Sequence, residues 1–171
     1  YALKLDDSSN ADRVGPAEWV ALDMNLAQLD ARAAAVNVGA TGYGRPDDLE
    51  RIGSTLYVAI TSEARVLSIS LGGKPMVNNF VKAGLNVPVE NRTAGITGFR
   101  NPDKLANGPD GKLWIVEDNV PSDIWVALPD KDGDGASDGV YLFATLKDNG
   151  AEGTGIYFGK DPRTLFVNVQ H

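Results

Sequence analysis

Short apolar runs recur along the chain. They include Leu56-Tyr57-Val58-Ala59-Ile60, Val66-Leu67-Ser68-Ile69, Leu113-Trp114-Ile115-Val116, Ile124-Trp125-Val126, Tyr141-Leu142-Phe143 and Leu165-Phe166-Val167. Each is rich in β-branched and aromatic residues. Each is bounded by turn chemistry such as Gly72-Gly73, Pro109-Asp110-Gly111 or Asp161-Pro162. Runs of this kind predict strands, and the pattern as a whole predicts an all-β protein. Residues 17–36 depart from it. There Trp19, Leu22, Leu26, Leu29 and Ala33 fall near a period of about 3.6 residues, which predicts a helix. Pro16 is placed to open that helix and Gly39 to follow its end.

The runs repeat in a fixed order. Leu56-Tyr57-Val58, Leu113-Trp114-Ile115 and Leu165-Phe166-Val167 align at a spacing of roughly 50 residues, the size of a propeller blade. A similar lead-in stands before each: Arg45-Pro46-Asp47-Asp48-Leu49, Asn101-Pro102-Asp103-Lys104-Leu105 and Ala151-Glu152-Gly153-Thr154-Gly155. The expected architecture is about two and a half blades of four-stranded antiparallel sheet with one N-terminal helical segment. Residues 45–85 and 101–146 make complete blades, and 151–171 makes half of one. Residues 1–44 end a preceding blade and cross over. Such a chain leaves sheet edges open. It is therefore expected to be completed by further chain or by another subunit.

Composition narrows the partners. The 171 residues carry a formal net charge of −7, so nucleic acid is not an expected partner. No apolar stretch approaches the roughly 18 residues of a membrane span. There is no cysteine, which excludes disulfides and a Cys nucleophile. The acidic balance favours bound cations.

Three constellations carry candidate chemistry. The first is the carboxylates of the lead-ins, Asp47 and Asp48, Asp103, and Glu152. In a propeller these converge at the mouth of the central channel. Converging carboxylates repel unless a cation or a shared proton sits among them. Their hard oxygen donors suit Ca²⁺, and also Fe³⁺ or Mn²⁺. Taken singly, each Pro-Asp is also ordinary turn chemistry. The second is Asp130-Lys131-Asp132-Gly133-Asp134-Gly135-Ala136-Ser137-Asp138, a D-x-D-x-D-G-x-x-D loop. Asp130, Asp132, Asp134 and Asp138 stand at the oxygen-donating positions of a calcium loop. Tyr141 replaces the bidentate Glu that ends an EF-hand loop, and the context is a hairpin. Its role would be structural; the alternative is a solvated acidic hairpin. The third is Glu117-Asp118-Asn119, either a channel-mouth cluster or a solvated strand end. Arg45, Arg92 and Arg100 are candidates to meet a phosphate bidentately, with Arg45 best placed. His171 is the sole histidine, and no triad spacing surrounds it.

Several stretches resemble one family. Arg45-Pro46-Asp47-Asp48-Leu49-Glu50 is similar to its R-P-E-D-x-E motif. Asn101-Pro102-Asp103-Lys104-Leu105-Ala106 followed by Gly111-Lys112-Leu113-Trp114-Ile115 is similar to its N-P-D-N-L-A…G-x-L-W-I stretch. Ala151-Glu152-Gly153-Thr154-Gly155-Ile156-Tyr157-Phe158 followed by Arg163-Thr164-Leu165-Phe166-Val167-Asn168-Val169-Gln170-His171 is similar to its A-E-x-T-G-x-x-F…T-L-F-V-N-x-Q-H signature. These are features of the PhoX-type bacterial alkaline phosphatases. The resemblance implies a longer, six-bladed propeller and export by the twin-arginine route to the periplasm or beyond. It implies hydrolysis of phosphate monoesters at a channel-mouth cluster of Fe³⁺ and Ca²⁺. It makes Glu152 an iron-site carboxylate and Asp103 a calcium-side ligand. Asp47 stands where the family usually has Glu, so Asp48 is placed to share its role. The family's iron-site Cys is absent from this sequence. Two other readings stay open. One is a calcium-binding scaffold without catalysis. The other is a propeller hydrolase of lactonase or phytase type.

Overall fold

The computed structural model describes residues 1–147 and 150–171. After an N-terminal hairpin, β1 (Ala2–Leu5) and β2 (Gly15–Val20), come two short helices, α1 (Met24–Leu29) and α2 (Ala31–Asn37). A first antiparallel meander follows: β3 (Pro46–Ile52), β4 (Thr55–Ile60), β5 (Arg65–Ser70) and β6 (Met76–Lys82). A second repeats it: β7 (Pro102–Asn107), β8 (Leu113–Glu117), β9 (Asp123–Ala127) and β10 (Val140–Thr145). A two-stranded sheet, β11 (Glu152–Phe158) with β12 (Leu165–Gln170), completes the order. The first strands lie side by side, β3 against β7 and β7 against β11. The mostly-β expectation holds, and the sheets curl into a half-barrel.

Burial explains the face-to-face stacking. Ala59, Val66, Phe80 and Val81 of the first meander pack on Leu105, Leu113, Ile115 and Trp125 of the second, with Val87 and Phe99 between them. Phe80 and Phe99 are each 1% exposed, and burying a side chain of that size contributes roughly 1.5–3 kcal/mol. Alternate residues of the same strands, Ile60, Leu67, Ile69 and Val77, face the other way onto Leu5 and Ala17 of the hairpin. The centre of the first meander is thus buried on both faces, and in β5 this burial includes Arg65 and Ser68 beside Val66, Leu67 and Ile69.

Residues 1–44 differ from expectation. The helix read over 17–36 does not form as one piece. Pro16 and Trp19 belong to β2, where Trp19 is paired with Leu3. Two helices follow, each started by its own aspartate: Asp23 accepts from the Asn25 and Leu26 N–H groups, and Asp30 accepts from Ala33. Asp30 is in an extended conformation, which ends α1 and caps α2. The hairpin does not stand as a sheet of its own. Gly15 and Pro16 of β2 pair with Val77 and Met76, extending the first meander at its outer edge. No helix among the described residues is long and apolar enough to cross a membrane.

Candidate active site

The two Pro-Asp lead-ins are built alike. Arg45 and Asn101, each just before a proline, have φ of 56° and 44°. A residue before proline avoids the α regions, and a left-handed non-glycine residue is uncommon. Such a conformation costs on the order of 1–3 kcal/mol and persists only where surrounding bonds enforce it. They do so here. The carbonyl of Arg45 accepts from Thr61 N (3.0 Å), and that of Asn101 accepts from Asp118 N (2.8 Å). Asn101 Nδ2 also donates to the Asp118 carbonyl at 3.3 Å. The register then shifts by one residue at Asp47 in β3 and at Asp103 in β7. A bulge re-aims the side chain it carries. Both aspartates turn towards the end where the first strands meet.

Arg45 occupies the centre of that end. Its Nε lies 2.8 Å from Asp47 Oδ2, and its Nη2 lies 2.5 Å from Asp118 Oδ2 and 3.9 Å from Asp103 Oδ1. Lys104 Nζ is 3.3 Å from Asp103 Oδ2. Glu152, the first residue of β11, is hydrogen-bonded to Asp118. Gly153 lets β11 approach: a Cβ there would lie 2.4 Å from Val116 Cγ1.

These carboxyls do not titrate alike. The hydrogen bond from Arg45 holds Asp118 below the usual carboxylate range and raises the pKa of Arg45. The hydrogen bond to Asp118, with the charges of Asp118 and Asp103, pushes Glu152 up. Burial pushes Asp103 up, with Lys104 opposing. Asp118 and Glu152 thus form a pair suited to sharing one proton or one cation.

Of the expected residues, Arg45, Asp47, Asp103 and Glu152 come together. Asp48 turns away: its Oδ2 accepts from Leu105 N at 2.8 Å, tying β3 to β7. Arg92 and Arg100 are engaged elsewhere. Arg92 pairs with Glu90 and Asp123, and Arg100 pairs with Glu90. Asp118 belongs to the cluster. Its neighbour Glu117 is fully buried, against the reading of a solvated strand end. Glu117 accepts from Trp125 Nε1 (2.8 Å) and Arg100 N (2.9 Å), and burial pushes its pKa up to about 7.

Two supporting residues escaped the sequence reading. Thr61 is buried, with its hydroxyl 2.6 Å from Asp47 Oδ2 and 2.7 Å from the Pro102 carbonyl. Glu63 accepts from Gly44 N at 2.5 Å and pairs with Arg13 and Arg65, fastening the segment that carries Arg45. The available signal was positional: Thr61 and Asp118 each follow the second strand of their meander.

The acidic loop lies between β9 and β10. Oxygens of Asp130, Asp132 and Asp138 lie within 4.8 Å of one another, the carboxylate group of metal-binding spacing among the described residues. Asp134 is outside it and accepts from Ala136 N at 2.7 Å. Gly135 has φ of 88°, and a Cβ there would meet the Asn78 side chain at 2.4 Å. Its carbonyl accepts from Ser68 Oγ at 3.1 Å, which anchors the loop to the first meander.

No curated protein and no solved structure matches the chain. The sequence does match the family described as alkaline phosphatase PhoX over residues 1–171, its whole length. The chain belongs to the PhoX alkaline phosphatase family.

Proposed function

We propose that the chain forms part of a metal-dependent phosphatase that hydrolyses phosphate monoesters where β3, β7 and β11 meet. The observation that carries this reading is the placement of Arg45 among Asp47, Asp103 and Asp118, with Glu152 bonded to Asp118. Four carboxyls there face two cationic side chains, Arg45 and Lys104. That leaves a deficit of positive charge, which a shared proton or a bound cation fills. The donors are hard oxygens, so the residues present fit Ca²⁺ or Fe³⁺. Asp47, Asp103, Asp118 and Glu152 would hold such ions. Bound there, the ions supply charge to phosphoryl oxygens and lower the pKa of water.

The chain's own residues have distinct tasks. Arg45 presents a planar fork to two phosphoryl oxygens and fixes the orientation of the ester. Lys104 adds a point charge beside Asp103. Asp118 holds the Arg45 fork and accepts a hydrogen bond from the Glu152 carboxyl. Thr61 and Glu63 keep the Arg45 and Asp47 backbone in place. The Asp130–Asp138 loop would take Ca²⁺ in a structural role. The remaining blades of a six-bladed propeller would come from further chain or another subunit. The exposed Tyr157 and Phe166 on the two-stranded sheet support that completion. Family membership supports export to the periplasm or outside the cell.

Hydrolysis of 4-nitrophenyl phosphate by the protein loaded with Ca²⁺ and Fe³⁺ tests the reading. Turnover that is lost in Arg45→Ala supports it. Turnover confined to lactones, with no phosphate monoester hydrolysed, overturns it.

A further inference from the structure

Arg45 and Pro46 also line a cavity of about 510 Å³, formed between α2 and the segment that follows it. That is within the usual size range of small-molecule pockets, about 300–1,000 Å³. Much of its wall is aliphatic or aromatic: Ala35, Val36, Ala40 and Tyr43. Its charged lining residues are Arg32 and Arg45, and no acidic residue lines it. In a chain of net charge −7 this is a local reversal of sign.

Arg32 is set apart from the other arginines. Arg13, Arg45, Arg65, Arg92, Arg100 and Arg163 each pair with a carboxylate, and Arg51 Nε donates to the Gly53 carbonyl at 2.9 Å. Arg32 is exposed on α2, and its side chain has neither an ion pair nor a hydrogen bond among the described residues. Its fork is free to receive an anion. The same cavity reaches Arg45, the residue that receives the phosphoryl group.

We propose that this cavity receives the leaving group of a phosphate monoester, and that Arg32 holds a second anionic group on it. The assignment rests on the reading of Arg45 as the phosphate-binding residue. The apolar wall takes the organic body of the substrate away from water. The two arginines then select esters that carry negative charge at both ends over esters that carry it only at the phosphate.

Phenyl phosphate and 4-carboxyphenyl phosphate separate the two cases. The metal-loaded protein is expected to favour the carboxylated ester in kcat/KM, and Arg32→Ala to lower that preference by roughly fivefold, as loss of a charge-assisted hydrogen bond requires. Arg32→Glu is expected to reverse it. No preference in the wild type, or a preference that survives both substitutions, overturns the inference. Calorimetry with benzylphosphonate and 4-carboxybenzylphosphonate supplies a readout without turnover. If neither ester is hydrolysed but the carboxylated phosphonate still binds tighter in an Arg32-dependent way, the catalytic reading fails and the cavity assignment stands. If neither phosphonate binds, the cavity assignment falls.

Discussion

Arg45 and Asp118 are 73 positions apart in the chain, yet their side chains meet at 2.5 Å. The contact joins the left-handed residue before β3 to the residue after β8. It fixes the guanidinium at the one end of the sheets where Asp47, Asp103 and Glu152 also arrive. A bidentate donor so placed has two consequences: it balances carboxylates in the resting protein, and it presents its remaining donors to an incoming phosphoryl group.

Arg45→Ala is therefore expected to lower kcat/KM for a phosphate monoester by about 10²- to 10³-fold, the usual loss when a donor to developing charge is removed. Arg45→Lys should recover only part of this, since an ammonium lacks the planar fork. Calcium content, measured by elemental analysis, should be retained in both variants. Wild-type kinetics in Arg45→Ala would remove this residue from the site.

Glu152 and Asp118 share a hydrogen bond that raises one pKa and lowers the other. A cation that takes both carboxylates must displace the shared proton. Metal binding at this site is expected to release protons and to weaken as the pH falls through the raised pKa of Glu152. Calorimetric titrations in buffers of different ionisation enthalpy count those protons. Glu152→Gln should bind metal more weakly and release fewer. Equal proton release in the variant would show that Glu152 is not part of the ion site.

Much of this arrangement was legible in the chain itself. The strands were visible because β5 and β8 are apolar runs closed by turn residues. The repeat was visible because Pro46-Asp47 and Pro102-Asp103 stand at matching places. What the pattern could not show is pairing at a distance. Trp19, Leu22 and Leu26 have helical spacing, but Trp19 lies in β2 opposite Leu3, and that pairing outweighs local periodicity. Nor did the sequence show which of two adjacent aspartates turns inward. The bulge in β3 decides it, sending Asp47 to Arg45 and Asp48 to the backbone of Leu105. For Asp118 the choice between channel mouth and solvated strand end stayed open for a related reason. Its role depends on β8 ending where β3 begins, a relation between two units rather than a motif within one.

Thr61 links those units directly. Its hydroxyl can donate to Asp47 Oδ2 or to the Pro102 carbonyl, and the surrounding burial keeps water from replacing it. Thr61→Val preserves shape but removes the one hydroxyl proton that these two buried acceptors share. It should destabilise the protein by about 1–3 kcal/mol. Thr61→Ser should restore most of that loss. Denaturant midpoints of the three proteins check this, and equal midpoints would mean that the hydroxyl is dispensable.

The Asp130–Asp138 loop makes a separate prediction. Calcium at about a hundredfold excess over its dissociation constant stabilises a folded protein by about 2.7 kcal/mol. For a chain of this size that corresponds to a rise in Tm of roughly 5–10 °C. Asp132→Ala should lower the calcium-dependent rise by the share this loop contributes and leave kcat unchanged. A variant that loses turnover while keeping the rise would move the loop from scaffold to chemistry.

Glu117 sets a pH dependence of the opposite sign to most carboxylates. Burial raises its pKa to about 7, against an ordinary value of 4.5. The folded state therefore binds its proton more tightly than the unfolded state does. Stability from this group is full below pH 4.5, declines as the pH rises, and levels off above about 7. The shift corresponds to about 3 kcal/mol in all, at roughly 1.4 kcal/mol per pH unit within that window. Glu117→Gln keeps an oxygen for the Trp125 indole N–H and the Arg100 amide but cannot ionise. The variant should match the wild type near pH 4.5 and exceed it by a few kcal/mol at pH 8. Urea unfolding of both proteins across this range measures the difference directly, with contributions from other titrating groups cancelling. A flat difference would mean that Glu117 stays charged in the folded protein, and its burial beside Trp125 would then require a compensating cation.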